Sequence, residues 1–220
     1  MTPDERLALL ASAPDVFFHE TLSGGMSWGD TEPLRGAARG RRTPLTFHAT
    51  ALIDDVVAFI ERPEHTARLV ARISSPVFGP EALAVEHGCF NLFRPGDAPR
   101  VRLMTYALPF SHAGRAWLLS GTKTLHDDRG WDLWHDTTRL FCQLHEGEDE
   151  RGKVVAAGVL SMGVSQVLEL IASMGSCRPG VAGLQARLRF GHFFLGGLWD
   201  LYAPRVRAAE RPGPAEPLLP

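Results

Sequence analysis

Eight strand-like segments, most joined by short turns, constrain this chain more than any other feature. They cover residues 16–28, 45–53, 67–73, 83–93, 101–110, 115–125, 138–145 and 154–161. Within them apolar side chains alternate with polar ones or run together, as in pleated strands that bury one face. Turn signals such as SSPVFGPE, RPGDAPR, SHAG and EGEDERG separate several of them. Connections this short cannot hold crossover helices, so parallel pairing is disfavoured. Closing the sheet removes two exposed edges. The pattern therefore predicts a mainly β fold: an antiparallel barrel or strongly curved sheet of about eight strands.

Helical signals interrupt this run in few places. Residues 56–61 follow Asp54 and Asp55, either of which can cap the first turn. Residues 164–174 (VSQVLELIASM) form a second short insert. Residues 181–201 place Leu184, Leu188, Phe194, Leu198 and Leu201 at mostly helical spacing. The cluster from Phe190 to Trp199 is unusually apolar for a terminal helix and predicts a cover over a hydrophobic opening, or an interface. The expected organisation is an N-terminal helix and lead-in over 1–14, a barrel-like domain over 15–175, an apolar helix over 181–203 and a flexible tail over 204–220. Residues 29–44 (GDTEPLRGAARGRRTP) read as a loop.

Composition excludes some classes. Hydrophobic residues make up 45% of the chain, which rules out wholesale disorder, and a net charge of −2 gives no general attraction to nucleic acid. Three widely spaced cysteines form neither a disulfide framework nor a close metal-ligand motif, and they fit a reducing, cytoplasmic setting. The sequence predicts neither a secretory leader nor a transmembrane helix. No GxxxxGK[ST], dinucleotide fingerprint or G-x-S-x-G elbow occurs, so no nucleotide or flavin cofactor is expected, and no metal.

The densest polar stretch is KTLHDDRGWDLWH, from Lys123 to His135. His126, Asp132 and His135 are candidates for acid–base catalysis there, because a carboxylate can orient an imidazole. A plain turn around DDRG accounts for the same residues. Strand parity singles out polar groups among apolar neighbours. Glu20 shares a face with Phe18 and Leu22, and Lys123 with Trp117, Leu119 and Leu125. Tyr106 shares one with Met104 and Leu108, and His87 with Val85, Cys89 and Phe93. His48 opposes Phe47. Cys142 lies in phase with Leu140 and Leu144 and reads as a packed thiol. A charge in a barrel interior needs a partner, water or a ligand. Glu20 and Lys123 can pair with each other or anchor the polar end of an apolar guest. The ligand-binding candidates are accordingly Glu20, His48, Tyr106, Trp117, Lys123 and Trp134, with Trp28 and Trp131 as further aromatic wall or packing.

Four stretches carry a resemblance to a known group: FFHETLSGGMSW, VFGPEALAVEHGCFNLF, the run from MTYALPFSHAGRAWLLSG through TKTLHDDRGWDLWHDTTRLFCQLHEG, and GVLSMGVSQVLELIASM. Together, over roughly residues 15–200, they resemble an accessory region of some bacterial glucose-methanol-choline-type, cholesterol-oxidase-like flavin oxidoreductases. This implies an association with oxidation of hydrophobic alcohols, sterols or related lipids. It transfers no FAD binding, since no segment here corresponds to the flavin domain. Through the resemblance alone, Gly121, Lys123, Asp132, Trp134 and Asp136 become candidates for a shared site.

The sequence thus supports a domain that binds or presents a hydrophobic small molecule, sterol-, terpenoid- or fatty-alcohol-like, with an oxidoreductase as the candidate partner. Two alternatives stay open: an isomerase, cyclase or hydrolase using a His/Asp pair, and a structural partner domain with a filled interior. An apolar pocket with Glu20 or Lys123 in its wall would favour binding. A His–Asp pair in a wet cleft would favour chemistry.

Overall fold

A computed structural model describes residues 13–98, 101–126 and 138–202. Its sheet is a closed antiparallel barrel in which each strand pairs with its sequence neighbours and β1 closes on β8. The strands are β1 (Val16–Trp28), β2 (Pro44–Ile53), β3 (Thr66–Ser74) and β4 (Leu83–Pro95), then β5 (Val101–His112), β6 (Arg115–His126), β7 (Arg139–Glu146) and β8 (Val154–Ser161). Among the described residues four helices accompany them: α1 (Pro33–Arg39), α2 (Val56–Glu61), α3 (Val164–Ser173) and α4 (Gly180–Tyr202). The expected N-terminal helix and tail lie outside the described residues. No described helix is long and apolar enough to cross a membrane.

The barrel follows from alternation. Along β1, Val16, Phe18, Glu20 and Leu22 are buried while Phe17, His19 and Thr21 between them are only half-buried. Phe47, Leu69, Ile73, Leu108, Leu119 and Leu144 fill the interior from other strands. Each such side chain contributes about 1.5–3 kcal/mol relative to full exposure. Strand β1 is long enough to pair with β2 through Gly25 and with β8 from Ser23 onward. Gly24 permits this seam, because a Cβ there would stand 2.0 Å from the Val159 carbonyl oxygen.

Two features depart from the sequence reading. Residues 29–44 are not simply a loop: they hold α1 and a 3-10 turn, Gly40–Arg42. The cause is local. The Glu32 carboxylate accepts hydrogen bonds from the N–H groups of Leu34 and Arg35 at 3.0 and 2.7 Å, and Pro33 sits in the first turn. Buried Asp30 then gathers two of the arginines, Arg35 at 2.8 Å and Arg39 at 3.1 Å. The basic run is thus partly consumed in fixing α1 against the barrel.

The second departure is parity in β4. Leu69 pairs with Gly88 but Ala71 pairs with Val85, so β4 carries an extra residue at Glu86–His87. Both are exposed, and His87 does not share the inner face of Val85 and Phe93. A second irregularity between Asn91 and Arg94 places Phe93 at φ 56° and buries Leu92 and Phe93 in succession. Bulges re-aim side chains in this way, and here they crowd apolar groups at one end of the barrel.

That end is where β1, β3, β5 and β7 begin and where β2, β4, β6 and β8 finish. Helix α4 crosses it with three phenylalanines. Phe193 contacts Phe59 of α2 at a centroid distance of 5.8 Å and His65 at 4.8 Å, while Phe194 stacks on Phe93 at 5.9 Å. The opposite end is packed shut: Trp117 meets Trp28 edge-on at 5.7 Å, and Phe78 packs on Trp28 and Phe110.

Candidate functional site

Between the packed end and α4 the barrel is hollow. A cavity of about 250 Å³ is walled by Phe18, Phe90, Leu92, Met104 and Met162 from the barrel and its strand ends. Val167, Leu170, Ile171 and Met174 of α3 and Phe190, Phe194 and Leu195 of α4 complete the wall. Ile171 and Leu195 also remain more than half exposed, so they form its rim. The α3 wall is held by backbone pairing of Gly175 with Phe17 and by the Ser173 hydroxyl, which accepts from the His19 N–H at 2.8 Å. Asp15 accepts from the Val56 N–H at the start of α2 and from the Arg178 guanidinium, tying α2 to the segment before α4.

Four polar residues interrupt this apolar lining: Glu20, Tyr106, Lys123 and Thr138. Strand alternation aims the first three inward from β1, β5 and β6. The Tyr106 hydroxyl donates to Glu20 Oε2 at 3.0 Å. Glu20 Oε1 is buried and has no hydrogen-bond partner among the described residues. Lys123 Nζ lies 5.4 Å from the centre of the Tyr106 ring, a cation–π arrangement. The direct Glu20–Lys123 ion pair allowed by the sequence is not formed. The two are coupled through space, and Tyr106 contacts both.

Burial dominates the electrostatics. It raises the Glu20 pKa above its ordinary value, while attraction to Lys123 and the Tyr106 hydrogen bond oppose the rise. It lowers the Lys123 pKa, with Glu20 opposing. Tyr106 is pushed well above its usual value by burial and by the adjacent carboxylate. Burial also pushes the Cys142 thiol up, which suits a packed, unreactive sulfur. The site is thus an apolar chamber with an acid and an amine, each pressed toward its neutral form.

The other predicted residues fall elsewhere. His48 is exposed on the outer face of β2, where its Nδ1 shares a hydrogen bond of 2.8 Å with Thr21 Oγ1. Trp117 faces inward, but at the packed end and not in the cavity wall. Only the backbone of His126 is described, at the end of β6; Asp132, Trp134, His135 and Asp136 lie outside the described residues. Gly121 lies on the inner face of β6 against Leu140.

Three histidines of the described barrel pair with hydroxyls across strands: His19 with Thr50 at 2.8 Å, His48 with Thr21, and His145 Nε2 with Ser120 at 2.9 Å. The Ser120–His145 pair was not legible in the sequence, because the two are diagonal neighbours on adjacent strands. Among the described residues, no group of three or more His, Cys, Asp or Glu is arranged to hold a metal. The lining residues that sequence reasoning missed are Phe90, Leu92, Thr138, Met162 and the α3 wall, which becomes cavity lining only once the helix folds over the barrel end; Phe190 and Phe194 belong to the cluster expected to cover an opening.

No protein-family model matches this chain, and no curated protein or solved structure shows significant similarity to it, flavin oxidoreductases included.

Proposed function

We propose that this protein binds and shields one slender apolar molecule with a single polar end, which it holds against Glu20 and Lys123. The observation that carries this reading is the unpartnered, buried Glu20 Oε1 in the wall of an otherwise apolar chamber. A buried acceptor without a donor costs about 1–3 kcal/mol, and a ligand hydroxyl would remove that cost. A Lys123 N–H would donate to the same oxygen of the ligand. Burial of the apolar body supplies the driving force, about 25 cal/mol per Å² removed from water.

Size narrows the class. Small-molecule sites usually occupy about 300–1,000 Å³. At about 250 Å³ the cavity favours a fatty-alcohol-like chain or small terpenoid over a rigid fused-ring sterol. Delivery of that molecule to a separate flavin oxidoreductase is a finer proposal and rests on the sequence resemblance alone.

Displacement of Nile red by decan-1-ol tests the binding reading, together with native mass spectrometry of gently purified protein. The expected result is saturable displacement that is lost in Leu170→Trp, a change that fills the cavity, while far-ultraviolet circular dichroism stays unchanged. Dye binding indifferent to decan-1-ol and to Leu170→Trp, with no retained ligand, would overturn the reading.

A further inference from the structure

Only two of the 23 basic residues in this chain are lysines, Lys123 and Lys153. Lys153 is exposed beside the β7–β8 turn, whereas Lys123 is 2% exposed and lines the cavity. Everywhere else the sequence uses arginine for positive charge. A guanidinium stays protonated at any working pH, so it can pair but cannot act as a nucleophile; an amine can lose its proton. The one buried Lys or Arg side chain among the described residues is therefore an amine, whose nitrogen can become a nucleophile. It stands near a carboxyl group whose Oε1 is unpartnered, and Tyr106 holds that carboxyl group in place through Oε2.

We propose that Lys123 captures an apolar aldehyde or ketone as a Schiff base, with Glu20 first as proton donor and then as counter-ion. This inference rests on the binding reading above and names the polar end of the ligand as a carbonyl. The neutral amine of Lys123 attacks the carbonyl carbon. A C–N bond forms, the C=O π pair moves to oxygen, and an amine proton passes to that oxygen to give a carbinolamine. The nitrogen lone pair then expels the hydroxyl group, which leaves as water with the proton from the Glu20 carboxylic acid. The product is a protonated imine on Lys123 beside the Glu20 carboxylate. One aldehyde, one amine and one carboxylic acid have become one iminium, one carboxylate and one water, with no change in net charge and no oxidant or reductant.

The surroundings suit each stage. Burial presses Lys123 toward the free amine and Glu20 toward the acid, which are the two forms the first stage needs. The iminium keeps its charge whatever its surroundings, so the carboxylate beside it becomes its partner. The apolar lining limits the water that would hydrolyse the imine. Tyr106 is a positioning residue, since its hydroxyl orients the carboxyl group and its ring faces Lys123.

The test uses the full chain with decanal and sodium cyanoborohydride, which reduces the imine to a stable secondary amine, followed by intact mass and peptide mapping. The expected product is a single adduct at Lys123, suppressed by excess decan-1-ol and absent in Lys123→Met. Glu20→Gln should slow its formation about tenfold or more, the lower range of general-acid effects being larger still. Wild-type mapping alone keeps the test decisive if either variant folds poorly. Label at Lys153 and the N-terminal amine in the same ratio as in urea-denatured protein, with none enriched at Lys123, would overturn the proposal. If decan-1-ol still displaces Nile red in that case, the carbonyl chemistry fails and the binding reading stands; if it does not, both fail.

Discussion

The ring of Phe190 stacks on that of Phe18 with centroids 5.7 Å apart and planes 20° from parallel. The contact joins the last described helix to the first strand, and both rings line the same cavity. Phe190 also touches Phe59 and Phe194 at 6.0 and 6.1 Å and is 1% exposed. One side chain thus fastens α4 to β1 and α2 while it forms part of the ligand wall.

Phe190→Ala should therefore cost about 3–5 kcal/mol of stability, the usual range for removing a buried phenylalanine. Urea unfolding would show the loss as a lower midpoint. Hydrophobic-dye binding to the folded variant should rise, because the cavity opens to solvent. An unchanged midpoint would mean that α4 does not cap the barrel.

Gly36 and Gly191 make a matched pair of opposite sign. A Cβ on Gly36 would fall 1.9 Å from the Ala157 carbonyl oxygen, so Gly36→Ala must push α1 off β8. A loss of about 1–3 kcal/mol is expected, as for other overpacked sites. Gly191, inside α4, meets nothing within 4 Å. Gly191→Ala should stabilise the protein by about 0.5–1 kcal/mol through lower chain entropy in the unfolded state. Thermal melts of both variants check the pair, and a destabilised Gly191→Ala would contradict the open surroundings described for that position.

The barrel was legible in the sequence because alternation is a local property. Val16–Trp28 and Val154–Ser161 match their strands end to end, and Val56–Glu61 its helix. The same parity turned Glu20, Tyr106 and Lys123 toward the interior. It failed at His87, where an extra residue shifts the phase, and no single-strand pattern reveals a bulge. It could not rank inward residues by depth either, so Trp117 was grouped with Lys123 although they lie toward opposite ends of β6. The helix at Pro33–Arg39 was masked by glycines and arginines, yet Glu32–Pro33 is a start signal that local chemistry supplies. Hollowness was not legible, because a cavity depends on how α3 and α4 lie across the barrel end.

Tyr106→Phe removes one hydroxyl and keeps the ring. The Glu20 carboxyl group then loses its only described hydrogen bond, so both oxygens stand without a protein donor. A stability loss of about 1–3 kcal/mol is expected from the unsatisfied acceptor. Ligand affinity separates this role from packing: with Glu20 no longer oriented, decan-1-ol should bind several-fold more weakly, whereas an apolar alkane should be unaffected. Equal weakening of both ligands would assign the hydroxyl a purely structural part.

Glu20→Gln should change how stability depends on pH. In the folded protein burial raises the Glu20 pKa above 4.5, and Lys123 and Tyr106 only partly reverse the rise. The fold therefore holds this proton more tightly than the unfolded chain does. Its contribution is complete below about pH 4.5 and is lost as pH rises through the folded value. The stability of wild type relative to Glu20→Gln should accordingly fall across that window, by at most about 1.4 kcal/mol per pH unit. The titratable side chains near Glu20 among the described residues are Tyr106, Lys123 and, behind Lys123, Cys142; α3 and α4 present only apolar ones. Lys123 supplies the internal check. Lys123→Met removes the attraction that lowers the Glu20 pKa, so in that background the decline should begin at the same pH and continue to a higher one. Urea denaturation of the four proteins across acid to alkaline pH gives both curves. A difference that stays flat through the window would show that Glu20 holds its proton no more tightly in the fold than in the unfolded chain.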